Sequence, residues 1–298
     1  MRLKFWGTRG SISTPGKQTV RYGGNTPCVE LRLQNDHLII LDAGTGIRNL
    51  GETLIEKGES LKAHLLISHP HWDHIQGFPF FKPAFISGNE LTIIGGETER
   101  VTLQKMISDQ MNKIYFPVQL NELKATLKFR KIEEESFEIA GAKIQTIFVN
   151  HPSFAIGYRI TNNGKSIVYI SDNEPFDRRV AQSLRNVEKS IVEKFSRTVG
   201  DPNQRVFDFV RNADILIHDA TYTPEEYVDR VGWGHSHYLF TLKVAAEGNV
   251  KSLILFHHDP AHHDEKVDDI LKKCKKEIKN REYKFSCVAA AEGMEIEV

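Results

Sequence analysis

A short apolar run, Ala63-His64-Leu65-Leu66-Ile67, stands directly before His69-Pro70-His71-Trp72-Asp73-His74. A buried strand that ends on clustered imidazoles and a carboxylate is a costly arrangement for a folding core. Imidazole and carboxylate together suit zinc, iron or manganese, and a bound cation offsets the lost side-chain freedom. A polar turn whose histidines cap the next helix would explain one such residue. It does not explain His69, His71, Asp73 and His74 together at this spacing.

If the run is a metal loop, further ligands should appear at other strand ends, and they do. His151 follows the apolar stretch Ile144 to Val149, Asp172 follows Val168-Tyr169-Ile170-Ser171, and His257 follows Leu253-Ile254-Leu255-Phe256. Carboxyl ends of strands in a parallel or mixed sheet commonly present functional groups. The rest of the text alternates strand and helix. Strands are predicted at Leu3 to Trp6, Cys28 to Leu33, His37 to Leu41, Ala63 to Ile67, Leu91 to Ile94 and Leu127 to Lys131. A second series follows at Ser136 to Ile139, Ala142 to Phe148, Ala155 to Thr161, Ser166 to Ile170, Ile215 to Ile217 and Ser252 to Phe256. Asn162-Asn163-Gly164 predicts a tight hairpin. Helical spacing appears after Asp42 through Ile55, at Ile75 to Phe81 (stopped by Pro83), at Thr98 to Met111, at Tyr238 to Glu247 and from about Glu265 to Lys279. This is a mixed α/β pattern without repeat or long linker, read as a single domain over residues 1–298.

Composition removes several classes. Lys plus Arg equals Asp plus Glu at 39 each, so no global field recruits a polyanion. Cys28, Cys274 and Cys287 are scattered, which argues against a thiolate zinc site and for a reducing compartment. Met1 to Arg9 lacks the apolar centre of a signal peptide, and no segment is long enough to span a bilayer. The expectation is a cytoplasmic protein with no membrane partner.

The order His-x-His-x-Asp-His, then His, Asp and His, resembles the metallo-β-lactamase superfamily. That resemblance implies an αββα sandwich and two divalent ions, zinc first, with manganese or iron open. Carried over, His69, His71 and His151 hold one metal, Asp73, His74 and His257 the other, and Asp172 bridges them. A bridged pair lies roughly 3.5–4 Å apart and turns a shared water into hydroxide near neutral pH. Asp42 resembles the family position that supports the metal loop. His258 competes with His257 for the last ligand place; His257 matches the family position, with two residues between it and Pro260. His262 and His263 read as solvent-side loop residues.

Two further stretches, Leu216-Ile217-His218-Asp219-Ala220-Thr221 and Gly234-His235-Ser236-His237, resemble motifs of the ribonuclease Z-like phosphodiesterase branch. There a carboxylate orients a histidine that protonates the departing oxygen, the parts Asp219 and His235 would take. The family's first motif usually carries Glu, so Asp219 reaches one methylene less far. His237 stands where Thr is usual and could add a second proton donor or phosphate contact. Asp73, Asp219 and His235 are thus the catalytic candidates. Arg9 and Asn25, in glycine-rich amino-terminal turns, either meet substrate phosphate or tie their loops together.

The resemblance implies a phosphodiesterase. The neutral charge favours a small phosphodiester such as a cyclic nucleotide over RNA, whose binding rests largely on phosphate contacts. The alternative is a ribonuclease Z-like transfer-RNA 3′-processing endonuclease; a metal-bound nucleotide sensor without turnover is a second. The segment Arg178 to Arg211 interleaves both signs and reads as a solvated helical face or dimer contact, a homodimer being common in related families. Gln110 to Pro117 is expected to form a lid whose Tyr115 or Phe116 stacks on a base.

Overall fold

In the computed structural model, which describes residues 1–56, 58, 60–176 and 202–298, the apolar runs of the first part of the chain form one mixed sheet. Its strands are β1 (Arg2–Gly7), β2 (Cys28–Arg32), β3 (Leu38–Leu41), β4 (Lys62–Ile67), β5 (Glu90–Gly95) and β6 (Thr126–Lys131), with β14 (Glu295–Glu297) beside β1. β14, β1, β2 and β3 pair antiparallel, whereas β3, β4, β5 and β6 are parallel. Every residue of β3 is buried, as a central strand covered on both faces requires.

The crossover from β3 to β4 is helix α1 (Gly46–Glu56), whose stripe Ile47, Leu50 and Leu54 joins Leu38, Ile40 and Leu65 in one core cluster. Burying three such side chains contributes roughly 1.5–3 kcal/mol each. After β4 the chain turns through α2 (Trp72–Ile75), two 3-10 turns at Phe78–Phe80 and Lys82–Phe85, and later α3 (Leu103–Asp109). The sequence suggested one helix over Ile75 to Phe81. Gly77 and Pro79 break α-helical bonding there, and Pro83 opens the second turn instead of ending a helix. Similarly, α3 starts later than its periodicity suggests because Thr102 caps it, accepting from the Lys105 N–H.

These elements belong to one compact unit, Met1–Glu133 with Glu138–Ala142 and Ala291–Val298; the other comprises Glu134–Phe137 and Lys143–Ala290. The second sheet runs β7 (Ser136–Ile139), β8 (Ala142–Val149), β9 (Ala155–Asn162), β10 (Lys165–Ile170), β11 (Ile215–Asp219), β12 (Ser252–Phe256) and β13 (Ser286–Ala289) in spatial order. β8, β9 and β10 are antiparallel; β10 through β13 are parallel. Asn163 and Gly164 take φ of 49° and 75°, the left-handed pair that the hairpin needs.

Helices α4 (Pro202–Phe209), α5 (Pro224–Tyr227), α6 (Tyr238–Glu247) and α7 (Asp264–Asn280) complete this unit. α6 packs on β11 and β12, and α7 on β13. Most of the charged segment from Arg178 onward lies outside the described residues. Within its described end, Arg205 donates to Glu134, and Arg211 pairs with Asp208. In both sheets the parallel strands place their carboxyl ends at the loops that carry the metal-type residues.

One pair of histidines in the first unit gives a test of stability. His37 Nε2 and His64 Nδ1 lie 2.8 Å apart. Burial, then the charges of His37, Lys62 and Arg130, lower the His64 pKa from 6.5 to about 4. The unfolded chain therefore binds a proton there from about pH 6.5 downward, while the folded chain refuses it until about 4. Stability falls as pH drops through that window. His64→Asn should flatten the fall in Tm between those pH values, seen as the wild-type-minus-variant difference in calorimetry. A parallel loss in both proteins would exclude His64 as its source.

Candidate metal-binding and catalytic residues

In the first unit the loop after β4 is held from the end of β3. Asp42, in the left-handed region at φ 61°, is fully buried. Its Oδ1 accepts the Ser68 N–H at 2.7 Å; its Oδ2 accepts the Ser68 hydroxyl and His74 Nδ1, both at 2.8 Å. A carboxylate only accepts, so His74 must carry its proton on Nδ1 and present the Nε2 lone pair. The Ser68 hydroxyl, having donated to Asp42, accepts from His69 Nδ1 at 3.0 Å, which fixes that tautomer too. His69 lies 4.6 Å from His71 and 4.1 Å from His74 between ring centroids. Asp73 Oδ2 stands 3.2 Å from His74 Nε2 and accepts the Ser11 N–H at 2.8 Å. His71 is exposed; His69, Asp73 and His74 are buried.

In the second unit β8, β10 and β12 end just before His151, Asp172 and His257, and His235 lies in the loop before α6. Asp172 Oδ2 lies 3.7 Å from His151 Nε2 and 3.5 Å from His235 Nδ1, and its Oδ1 lies 3.5 Å from His257 Nε2. The donor atoms of Asp172, His235 and His257 fall within 4.8 Å of one another. These separations exceed a normal N–H···O bond. Those of Asp172 from His151 and His257 suit donors arranged about a cation, each roughly 2.0–2.2 Å from it. The residues present therefore fit a divalent ion.

His257 also has a left-handed backbone, φ 57°, and packs stacked on His235 at 4.7 Å. Thr221 donates to the His257 carbonyl at 2.9 Å, so its hydroxyl accepts from His257 Nδ1 at 3.2 Å and leaves Nε2 facing Asp172. His258 instead directs Nε2 to the Ala290 carbonyl at 2.9 Å, which explains why only one of the adjacent histidines meets Asp172. Thr221→Val should lower metal affinity about ten-fold. Chelator competition would measure it; unchanged affinity would remove Thr221 from that support.

His235 is the member of this cluster that reaches solvent, its side chain 10% exposed against 0–1% for Asp172 and His257. Asp219 Oδ2 is 3.9 Å from His235 Nδ1 but accepts the Ser236 N–H at 2.6 Å, so it acts on His235 through the neighbouring peptide. Glu174 completes the loop's anchorage. Its Oε1 accepts from Tyr227 Oη at 2.8 Å and Gly232 N–H at 2.7 Å, and its Oε2 from Gly234 N–H at 2.9 Å. Gly234 is required here: φ is 92°, and a Cβ would stand 2.4 Å from His151 Cδ2.

Residues 37–199, more than half of the chain, match the family model described as a β-lactamase superfamily domain. The chain belongs to the β-lactamase superfamily. This metallo-β-lactamase-fold protein, a metal-dependent hydrolase, is 24% identical to ribonuclease Z of Staphylococcus carnosus, over 96% of the chain and 97% of that protein. Its fold is that of YhfI from Bacillus subtilis, a metallo-β-lactamase fold protein, with TM-score 0.68 and 18% identity, covering 100% and 98% of the two chains. The short form of human tRNase Z gives 0.62 and 18%, covering 100% and 99%.

Other sequence expectations resolve differently. Arg9 is fully buried with Nε donating to the Gly23 carbonyl, and Asn25 donates to Glu292, so both tie loops together. His237 caps α6, its Nδ1 accepting from the Phe240 N–H. His262, expected at the solvent side, is instead buried, 3.1 Å from Glu226, because its loop folds back toward the start of α5; His263 is exposed. Ser68, Thr221 as a support and Glu174 carry no clear signal in the sequence: Thr221 sits inside the His218-Asp219-Ala220-Thr221 motif, and no spacing marks Glu174.

Proposed function

We propose that this hydrolase cleaves phosphodiesters with two divalent ions held by His69, His71 and His151, by Asp73, His74 and His257, and by a bridging Asp172, all within one hydrolase domain. The assignment rests on the superfamily's ligand order along the chain. When bound, such ions supply Lewis acidity and a water activated near neutral pH. Asp73 ligates and orients, and His235 delivers a proton on the leaving side, its loop fixed by Asp219 and Glu174. The observation that carries this reading is the buried Asp172, His235 and His257 cluster, with His235 alone of the three turned partly to solvent.

The substrate we propose first is an RNA end, supported by similarity over nearly the whole chain to proteins named ribonuclease Z. A second reading, a small phosphodiester such as a cyclic nucleotide, is favoured by the equal counts of 39 basic and 39 acidic residues. Metal-analysed protein should be assayed on a transfer-RNA precursor, cyclic mononucleotides, cyclic dinucleotides and bis(p-nitrophenyl) phosphate. Cleavage of the precursor alone supports the first substrate, and of cyclic nucleotides alone the second. Nucleotide binding without any turnover would leave a sensor and overturn the hydrolase proposal. His235→Ala should keep its metals and lose on the order of 10²–10⁴ in kcat on poor leaving groups, but far less on nitrophenyl esters. Equal losses on both would exclude His235 as the acid.

A further inference from the structure

Beside the metal-type loop of the first unit lies a cleft of about 620 Å³. Its walls include Trp72, Phe80, Gln110, Tyr115 and Phe116. Trp72 is 78% exposed, Phe80 54% and Tyr115 80%, an unusual outlay of aromatic surface for one small region. Phe116 is held edge-on to Phe80, 5.4 Å between centroids at 81°, so one wall is a preformed ring pair. Trp72 sits in the chain between His71 and Asp73, which makes the cleft continuous with the loop that bears the phosphodiester chemistry.

The polar groups of the cleft narrow its ligand. Asp109 is taken by Lys105, at 2.7 and 3.0 Å from its two carboxylate oxygens. Gln76 Nε2 donates to Thr26 Oγ1 at 3.2 Å. Gln110 Nε2, by contrast, is buried and makes no hydrogen bond among the described residues. An unpartnered buried amide donor in the cleft wall costs free energy, which a turn of the Gln110 side chain toward an acceptor in the cleft would recover. No lysine or arginine lines the cleft, so it is not built for phosphate. Aromatic faces with one amide donor suit a flat, neutral heterocycle that carries an acceptor on its edge.

We propose that this cleft seats a nucleobase of the substrate, stacked against the Trp72 and Tyr115 side and accepting from Gln110. The inference takes its setting from the phosphodiesterase reading, yet it can be tested without turnover. Adenosine 5′-monophosphate, a monoester, is titrated into metal-loaded protein while tryptophan fluorescence is followed. Quenching is expected, and Trp72→Phe should abolish it although Trp6 and Trp233 remain. Tyr115→Ala and Gln110→Leu should each weaken binding roughly ten-fold, as expected for loss of one stacking ring or one edge contact. In kinetics, the same two variants should lower kcat/KM about ten-fold, through KM, on thymidine 5′-p-nitrophenyl phosphate. They should leave methyl p-nitrophenyl phosphate, which has no base, unchanged.

Nucleotide quenching that the variants do not weaken, or equal losses on both esters, would overturn the cleft assignment. Failure of wild type to cleave either ester while adenosine 5′-monophosphate still quenches Trp72 would overturn the phosphodiesterase reading and keep the cleft. Cleavage of both esters without binding of the monophosphate would do the reverse.

Discussion

Asp42→Ala is expected to weaken metal binding by roughly 10–100-fold and to destabilise the metal-free protein by about 2–5 kcal/mol. The carboxylate accepts the Ser68 N–H, the Ser68 hydroxyl and His74 Nδ1 in a place closed to water. Truncation leaves those donors buried without their acceptor. It also frees His74 to move its proton to Nε2, the atom needed as a lone pair, and releases Ser68 from the orientation that fixes His69. Asp42→Asn isolates the second effect: similar in size, it can keep one acceptor but sets an amide donor against the others. Metal affinity from chelator competition and Tm of the metal-free protein, read together, separate ligand orientation from packing. A variant that loses stability but binds metal as tightly as wild type would show that Asp42 supports the loop without tuning its ligands.

How far the sequence revealed this arrangement depends on the kind of signal. Residues that must emerge at strand ends were legible, because apolar runs such as Leu253 to Phe256 stop abruptly at a histidine. The hairpin at Asn163-Gly164 was legible for a similar reason: the turn demands residues tolerant of positive φ. Element ends were less so, since Thr102 and Gly77 act through local bonds that periodicity does not sense. β14, three residues around Ile296, is too short and too charged to announce itself, and it exists only because β1 supplies an edge. Supporting contacts were the least visible. His258 and His257 are the same residue type side by side, and only the Ala290 carbonyl and the Thr221 hydroxyl distinguish them. Glu174 is remote in sequence from the loop it holds, joined to Gly234 across 60 positions.

That separation makes Glu174 the sharpest test of the proton-donor loop. Glu174→Ala should reduce kcat about 100-fold on poor leaving groups, because misplacing a reacting group by roughly 1 Å costs that much. It should also lower Tm, since Tyr227, Gly232 and Gly234 lose a buried acceptor. Stability loss alone could mimic an effect on rate, so Glu174→Gln is the more informative change. With its carbonyl at the Oε1 position, the amide keeps the bonds from Tyr227 and Gly232, while its NH2 opposes the Gly234 N–H. The disturbance then falls on the residue immediately before His235. Glu174→Gln should therefore retain most of the wild-type Tm yet lose a large part of kcat, with KM little altered. Nitrophenyl esters, whose leaving group needs little protonation, should be spared. If Glu174→Gln instead matches wild type on every substrate, the Gly234 bond does not position His235.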